Sequence, residues 1–148
     1  MNAQRRSTVD LAEGRLRDSG TRTTRARRLV IEKLSRVTGP RTAEEISGLL
    51  KSEVPLSSLY RTLAVLSSSG VLQRLHDGAG TARYELAEWL TGHHHHISCT
   101  KCGTTHDIDF SAQTEEAIRR LADEAGDSAG FEVTAHRIDL EGVCSQCR

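Results

Sequence analysis

The sequence has few aromatic residues and no long hydrophobic run. Phe, Trp and Tyr make up 3% of its 148 residues, so a small core gains little from large rings and a bound metal would usefully reinforce it. No stretch has the ~20 consecutive apolar residues of a membrane-spanning helix, so we expect no membrane contact. The N-terminus also lacks the apolar run of a signal peptide, which predicts a cytoplasmic protein with reduced thiols.

The sequence also lacks a nucleophile motif, which bears on whether the protein is an enzyme. Catalytic zinc is held by three protein ligands and keeps an open position, but a hydrolase also needs a general base in a substrate cleft. The two small subdomains show neither of these features. We therefore predict that the protein is not an enzyme and has no small organic substrate.

The chain has no net charge, with 20 Lys and Arg against 20 Asp and Glu, yet the charges are unevenly distributed. Residues 1–40 hold ten basic and four acidic residues, a net charge of +6. Residues 107–141 hold ten acidic and three basic residues, a net charge of −7. The basic front half suggests a polyanionic partner, and the acidic back half suggests a metal or another protein.

All four cysteines fall into two Cys-x-x-Cys pairs, formed by Cys99 with Cys102 and Cys144 with Cys147. Thiolates at i and i+3 can be presented by one tight turn, and two such turns complete a tetrahedral site with Zn–S bonds of about 2.3 Å. Two disulfides are the alternative, but reduced thiols at this spacing favour structural zinc. A whole subdomain separates the pairs, so the site is not a simple zinc ribbon.

Four consecutive histidines, His93 to His96, lie directly before the first Cys pair. The following Ile97 indicates the start of a β-strand, in which alternate residues point to opposite faces. His93 and His95 would then serve one metal site, and His94 and His96 another. Imidazole suits zinc, nickel, copper and ferrous iron, so we expect these sites to be exchangeable. An inert, solvated histidine run is the alternative.

The front half shows three helical patterns. The first follows a Thr24 cap and continues to about Arg36, and Gly39-Pro40 ends it. The second starts at a capping box formed by Thr42 and Glu45. The third follows Pro55, with Ser57 or Ser58 as its expected cap, and ends in residues 67–70.

The third helix carries Tyr60 and Arg61 in its first turn, as the recognition helix of a helix-turn-helix would. Residues 71–76 and 81–86 then alternate around a turn of Asp and Gly, which predicts a hairpin placed as a wing. Arg74 and Arg83 are expected to reach DNA phosphates from this wing.

The back half has a mixed pattern. We expect strands over residues 105–110 and 131–140, a helix over 115–125 with one apolar side, and a loop over 126–130. Together the two halves predict an α+β fold.

These motifs in this order resemble the ferric uptake regulator family of metal-dependent bacterial repressors, above all HHHHISCTKCG and VCSQC. The resemblance begins near Gly20 and covers nearly all of the rest. It implies a winged helix-turn-helix DNA-binding domain over residues 1–86, a hinge over 87–92, and a small α/β dimerisation and metal-binding domain over 93–148 that contains the structural four-cysteine zinc site.

The resemblance also implies functional residues. It assigns a dimerisation-domain metal site to His93, His95, Glu115 and His136. It assigns a regulatory hinge site to Glu85, His94 and His96, with Asp107 as the further acid that some members use. The family also carries a histidine before its second helix, which Gly39-Pro40-Arg41 lacks. His76 in the wing is a substitute for it, and contact of His76 with a phosphate or solvent is the alternative. DNA contacts are expected from Tyr60 and Arg61, and further from Ser57, Ser58, Arg27 and Arg22.

The predicted function is that of a metal-responsive repressor, which binds a palindromic operator in double-stranded DNA as a homodimer and controls metal-homeostasis genes. Zinc is the expected structural ion, and zinc or ferrous iron the regulatory one, with manganese as a third candidate. A peroxide-sensing repressor of the same fold and a zinc-stapled interaction module are the alternatives.

Overall fold

The computed structural model describes residues 2–148, with side chains from residue 8 onward. Arg5 and Arg6, which contribute to the basic front half, therefore have side chains outside the described part. The first helix, α1, spans Asn2–Asp18, and the sequence patterns did not predict it. It contributes Ala12 and Leu16, four residues apart and both fully buried, to the core of the front half.

Three further helices follow in the front half: α2 (Arg25–Leu34), α3 (Ala43–Leu49) and α4 (Leu56–Ser68). The Thr24 hydroxyl caps α2 by accepting from the Arg27 amide, and the predicted Thr42–Glu45 capping box is present on α3. The expected serine cap of α4 is wrong. Ser57 and Ser58 lie inside its first turn, because the helix already begins with the Leu59 amide donating to the Pro55 carbonyl.

The predicted hairpin is present as β1 (Leu72–His76) and β2 (Ala82–Leu86), which pair antiparallel. One oxygen of Asp77 shapes the turn between them by accepting from the amides of Ala79 and Thr81. The hairpin packs on the helices through Leu72, Tyr84 and Leu86. The front half thus has the order of helices and strands expected for a winged helix-turn-helix.

A short helix, α5 (Glu88–Thr91), lies in the segment predicted as a hinge. The Trp89 indole donates to the Gly70 carbonyl at 2.8 Å, and the Arg15 guanidinium of α1 lies 5.4 Å from its ring centroid. These contacts hold the connection against the front half.

The back half contains β3 (His95–Cys99), β4 (Thr105–Ile108), α6 (Ala112–Ala129) and β5 (Asp139–Gly142). The strands form one sheet in the order β4-β3-β5, with β4 antiparallel and β5 parallel to β3. Helix, sheet and hairpin together confirm the predicted α+β class.

Several boundaries in the back half differ from the prediction: α6 begins at Ala112 and not at residue 115, and β4 ends at Ile108 and not at residue 110. The expected loop over residues 126–130 is helical through Ala129, because Gly130 supplies the left-handed conformation that ends α6. The strand expected over 131–140 begins only at Asp139. Asp139 pairs with His96, the second residue of β3, so β3 extends only one residue beyond this pair. Ile138 there accepts from the His96 amide and donates to His95 Nδ1. None of the described helices is long and apolar enough to cross a bilayer.

Candidate metal centres and DNA-binding face

The four cysteines converge where β3 ends and the chain leaves β5. Their sulfurs all lie within 4.8 Å of one another, and those of Cys102 and Cys144 are 3.8 Å apart. Tetrahedral zinc with bonds of about 2.3 Å separates its sulfurs by ~3.8 Å. All four cysteines are free thiols. This geometry fits a zinc ion.

The thiols differ in acidity because their surroundings differ. The backbone amides of Cys144, Cys102 and Lys101 lower the pKa of the Cys99 thiol to about 6. Neighbouring Cys144 and Cys102 raise the pKa of the Cys147 thiol to about 12. Crowding therefore opposes four simultaneous thiolates, and a divalent cation among them would remove that opposition.

A second group joins His93, His95, Glu115 of α6 and His136, the residues expected for the dimerisation-domain site. His95 is fully buried, with Nε2 2.8 Å from the Glu115 carboxylate. Burial raises the pKa of Glu115, but the His95 hydrogen bond and the charges of His95 and His93 lower it below its usual value. The carboxylate thus stays ionised and can bind a cation with the imidazoles.

A third group lies between the two halves and contains Glu85, His94, His96 and Asp107. Glu85 belongs to the wing strand β2, whereas the other three come from the C-terminal sheet or the segment leading into it. The Glu85 carboxylate lies 3.3 Å from His94 Nε2 and 3.1 Å from His96 Nε2. Asp107 Oδ1 lies 4.0 and 3.8 Å from the same nitrogens. We call this group the hinge site.

Two buried carboxylate oxygens of the hinge site accept no well-aligned hydrogen bond. Asp107 Oδ1 has no hydrogen-bond partner, and Glu85 Oε1 has only His96 Nε2 nearby, at 3.1 Å, although buried polar atoms nearly always have a partner. Two imidazole nitrogens and two such oxygens suit zinc, ferrous iron or manganese. The donor set therefore fits a divalent metal.

The charges of this site also affect its histidines. Burial lowers the pKa of His94, but the hydrogen bond to the Gly92 carbonyl and the Glu85 carboxylate raise it above its usual value. Burial lowers the pKa of His96 as well, and Glu85 and Asp107 again raise it overall. Both imidazoles therefore bind a proton more readily than an ordinary histidine, because the nearby carboxylates favour a positive charge at this position. A divalent metal would supply that charge.

His76 is not part of this group. It is the last residue of β1, opposite Ala82, and its side chain is exposed, so the structure does not bring it to the hinge site. The sequence patterns missed Asp139, whose Oδ1 lies 3.3 Å from His96 Nδ1. That contact depends on the β3–β5 register, which no local motif reveals.

The predicted DNA-contacting residues lie at the start of α4 and around α2. Ser57, Tyr60, Arg61 and Arg22 are exposed, and Ser58 and Arg27 are partly exposed. The Tyr60 hydroxyl bonds Glu44 of α3 at 3.1 Å, and this contact raises the pKa of Tyr60. Arg27 donates to the Arg22 carbonyl. The first turn of α4 is thus open to a partner.

The expectation that Arg83 reaches phosphate is wrong. Its side chain is 8% exposed, with Nε 2.9 Å from Asp77 and Nη2 2.6 Å from the Gly103 carbonyl. Nη1 also contacts Glu45 at 3.2 Å. The alternation along β2 fails here because the C-terminal half covers this face of the wing. Arg74, by contrast, is exposed.

Comparisons with known proteins agree with this arrangement. The profile of the Ferric uptake regulator family matches residues 18–141. The peroxide-responsive repressor PerR of Staphylococcus aureus (strain USA300) is 34% identical over 137 residues, which cover 90% of this chain and 86% of the relative. PerR of Staphylococcus epidermidis is 31% identical over 136 residues, which cover 90% and 85%.

Solved structures with the same fold include the Vibrio cholerae ferric uptake regulator, with a TM-score of 0.73 and 26% identity over 87% of this chain and 96% of that one. A zinc-bound manganese uptake regulator matches with a TM-score of 0.68 and 28% identity, over 90% of this chain and 98% of that one.

Proposed function

Because the chain belongs to the ferric uptake regulator family, we propose that it is a metal-responsive transcriptional repressor. It binds operator DNA as a homodimer when a divalent metal occupies the hinge site, and it controls metal-homeostasis genes. The observation that carries this proposal is the hinge site itself, in which Glu85 of the wing strand meets His94, His96 and Asp107 of the other half.

In this proposal the hinge metal selects one arrangement of the two halves. Glu85, His94, His96 and Asp107 would hold the ion, which supplies the positive charge that the converging carboxylates lack. A ligand shifts an equilibrium only by its differential affinity for the two states, and a metal bound from both halves favours the closed state. If metal improves DNA affinity by ~100-fold, the coupling is about 2.7 kcal/mol.

The other two sites have separate roles in the proposal. Zinc at Cys99, Cys102, Cys144 and Cys147 ties the end of β3 to the chain after β5 and is structural. The site of His93, His95, Glu115 and His136 fixes α6 and the segment before β5 onto β3. Zinc, ferrous iron and manganese remain candidates for the histidine sites, because imidazole and carboxylate ligands suit all three.

An uncovered apolar surface supports dimerisation. Leu121 of α6 is 67% exposed, and Phe131, two residues after the end of α6, is 71% exposed. Val133, Leu140, Val143 and Ile97 are also exposed. Large exposed apolar side chains of this kind suit a protein interface, and a two-fold pair of chains would present two α4 helices to the two half-sites of a palindromic operator.

A peroxide sensor is the second candidate, favoured by the two PerR relatives. The two candidates differ in their response to oxidant. A peroxide sensor loaded with ferrous iron releases DNA on treatment with hydrogen peroxide and keeps it when loaded with zinc. A metal sensor changes its DNA affinity with the metal supply. Its DNA affinity with either metal is the same with and without hydrogen peroxide.

The test begins by selecting tight-binding duplexes from a random library with protein loaded in turn with zinc, ferrous iron or manganese. Fluorescence anisotropy on a selected duplex then compares metal-free and metal-loaded protein. We expect at least one metal to restore tight binding. Glu85→Gln should lose that response, whereas Glu132→Gln, which changes an exposed acid, should keep it.

A second pair of variants separates a repressor from an interaction module. Arg61→Glu reverses a charge on the exposed start of α4 and should abolish operator binding while metal binding is retained. Arg120→Glu makes the same change on exposed α6 and should bind DNA like the parent. The proposal would be refuted if metal-free protein selected the same duplexes as metal-loaded protein, or if protein loaded with any of the three metals selected no duplex.

A further inference from the structure

The loop between α2 and α3 contacts the C-terminal sheet through the backbone of Gly39. Its amide donates to Asp107 Oδ2 at 2.9 Å. Gly39 is buried and has a φ of +79°. A Cβ at this position would lie 2.9 Å from the Thr105 carbonyl oxygen, closer than real Cβ atoms normally approach. Both the conformation and the space thus require glycine.

Asp107 presents its two oxygens to different partners. Oδ2 accepts from the Gly39 amide, whereas Oδ1 is buried, accepts no hydrogen bond, and lies within 4.0 Å of the Nε2 atoms of His94 and His96. One carboxylate therefore connects the front-half loop to the hinge site.

The loop between α2 and α3 is also hydrogen-bonded to β2, the strand that carries Glu85. The Arg41 amide donates to the Tyr84 carbonyl at 2.9 Å, and the Tyr84 amide donates to the Arg41 carbonyl at 2.7 Å. Tyr84 directly precedes Glu85, and Thr42 after Arg41 caps α3. Gly39 and Glu85 thus lie on two chain segments that are bonded together.

We propose that Gly39 is a positioning residue for the hinge site, whose amide clamps Asp107 and connects metal binding to the loop that starts α3. This proposal deepens the function proposed above and rests on it. The clamp fixes the direction of the free Asp107 oxygen, and metal binding in turn fixes the loop, the Arg41–Tyr84 bridge and the start of α3. A backbone donor does this without a side chain, for which no space exists.

The test compares Gly39→Ala with Gly20→Ala. Both glycines have positive φ, +79° and +68°, so both variants suffer similar backbone strain. Only Gly39 has a close neighbour, because nothing lies within 4 Å of a Cβ at Gly20. Manganese is the probe, since it prefers oxygen and nitrogen ligands to thiolates. A His136→Ala background weakens the other histidine site.

Gly39→Ala should weaken manganese binding by about 10- to 100-fold, the range for losing a partner that orients a metal ligand. Gly20→Ala should bind like its parent. Equal manganese affinity in the two variants would overturn the clamp. Manganese affinity is measured without DNA. If Gly39→Ala confirms the clamp but the chain binds no operator, only the proposed function is refuted.

A measurement without substitution covers the case in which Gly39→Ala fails to fold. Hydrogen exchange of the Gly39 amide, followed by NMR in the unaltered chain that already holds its structural zinc, should be slow and should slow further when added zinc fills the histidine sites. Exchange at the rate of an open loop, unchanged by zinc, would overturn the proposal.

Discussion

Replacing Arg83 with glutamine tests whether this wing arginine is structural or binds DNA. Its guanidinium lies 2.9 Å from Asp77, whose side chain is 4% exposed, and 2.6 Å from the Gly103 carbonyl. Removing one partner of a buried ion pair costs about 3–5 kcal/mol, because it leaves the other charge uncompensated. Arg83→Gln should therefore lower the free energy of unfolding by about that amount.

The matched control is Arg74→Gln, on the neighbouring strand of the same hairpin. Arg74 is exposed, and changes at such positions usually stay within about 0.5 kcal/mol. Denaturant unfolding of zinc-loaded protein, followed by circular dichroism, measures both variants. Equal losses of stability in the two variants would refute the structural role of Arg83.

The salt dependence of DNA binding adds an independent readout. Each neutralised phosphate contributes about −0.9 to the slope of log affinity against log salt. A structural Arg83 leaves that slope unchanged in Arg83→Gln after correction for the folded fraction. A phosphate-binding Arg83 would reduce the magnitude of the slope by about 1.8 per homodimer, because each of the two chains loses one phosphate contact, and this outcome would contradict the buried geometry.

Three further outcomes follow from the structure. The pKa values of His94 and His96 are raised above 6.5, so their contribution to the stability of metal-free protein is fully present below pH 6.5 and is lost as pH rises through the raised values. Zinc competes with those protons, so zinc affinity measured by calorimetry should rise over the same interval, and a pH-independent affinity would contradict the assignment. Phe131→Glu places a charge on the exposed apolar surface and should shift sedimentation from dimer to monomer, whereas Glu132→Gln should leave the dimer intact. Cys147→Ser removes one sulfur and should abolish retention of one zinc per chain on dialysis; an unchanged zinc content would exclude the four-sulfur site.

Much of the front half follows from local patterns. The Thr24 cap, the Thr42–Glu45 box and the turn at Asp77 are each satisfied within a few residues. The two-residue period of a strand also separated His93 and His95 from His94 and His96, although β3 begins only at His95 and the first two histidines lie in the segment before it. The structure places these pairs in two different groups.

Long-range contacts account for what the sequence did not reveal. Helix α1 was not predicted, although its buried Ala12 and Leu16 pack on the core. The sequence predicts that Arg83 is an exposed residue of the wing, but the C-terminal half covers its side chain in the structure. The contact of Gly39 with Asp107 joins residues 68 positions apart, and β5 depends on pairing with a strand that lies far earlier in the chain. No local motif encodes such contacts.

The central claim is that metal at the hinge site and DNA at α4 are thermodynamically coupled. The most direct measurement is the zinc affinity of the histidine sites with and without a saturating selected duplex, set against the DNA affinity with and without zinc. Linkage requires the two ratios to be equal, so if zinc tightens DNA binding ~100-fold, DNA must tighten zinc binding ~100-fold, and Glu85→Gln must reduce both toward one. Zinc affinity that is unchanged by DNA would contradict the account.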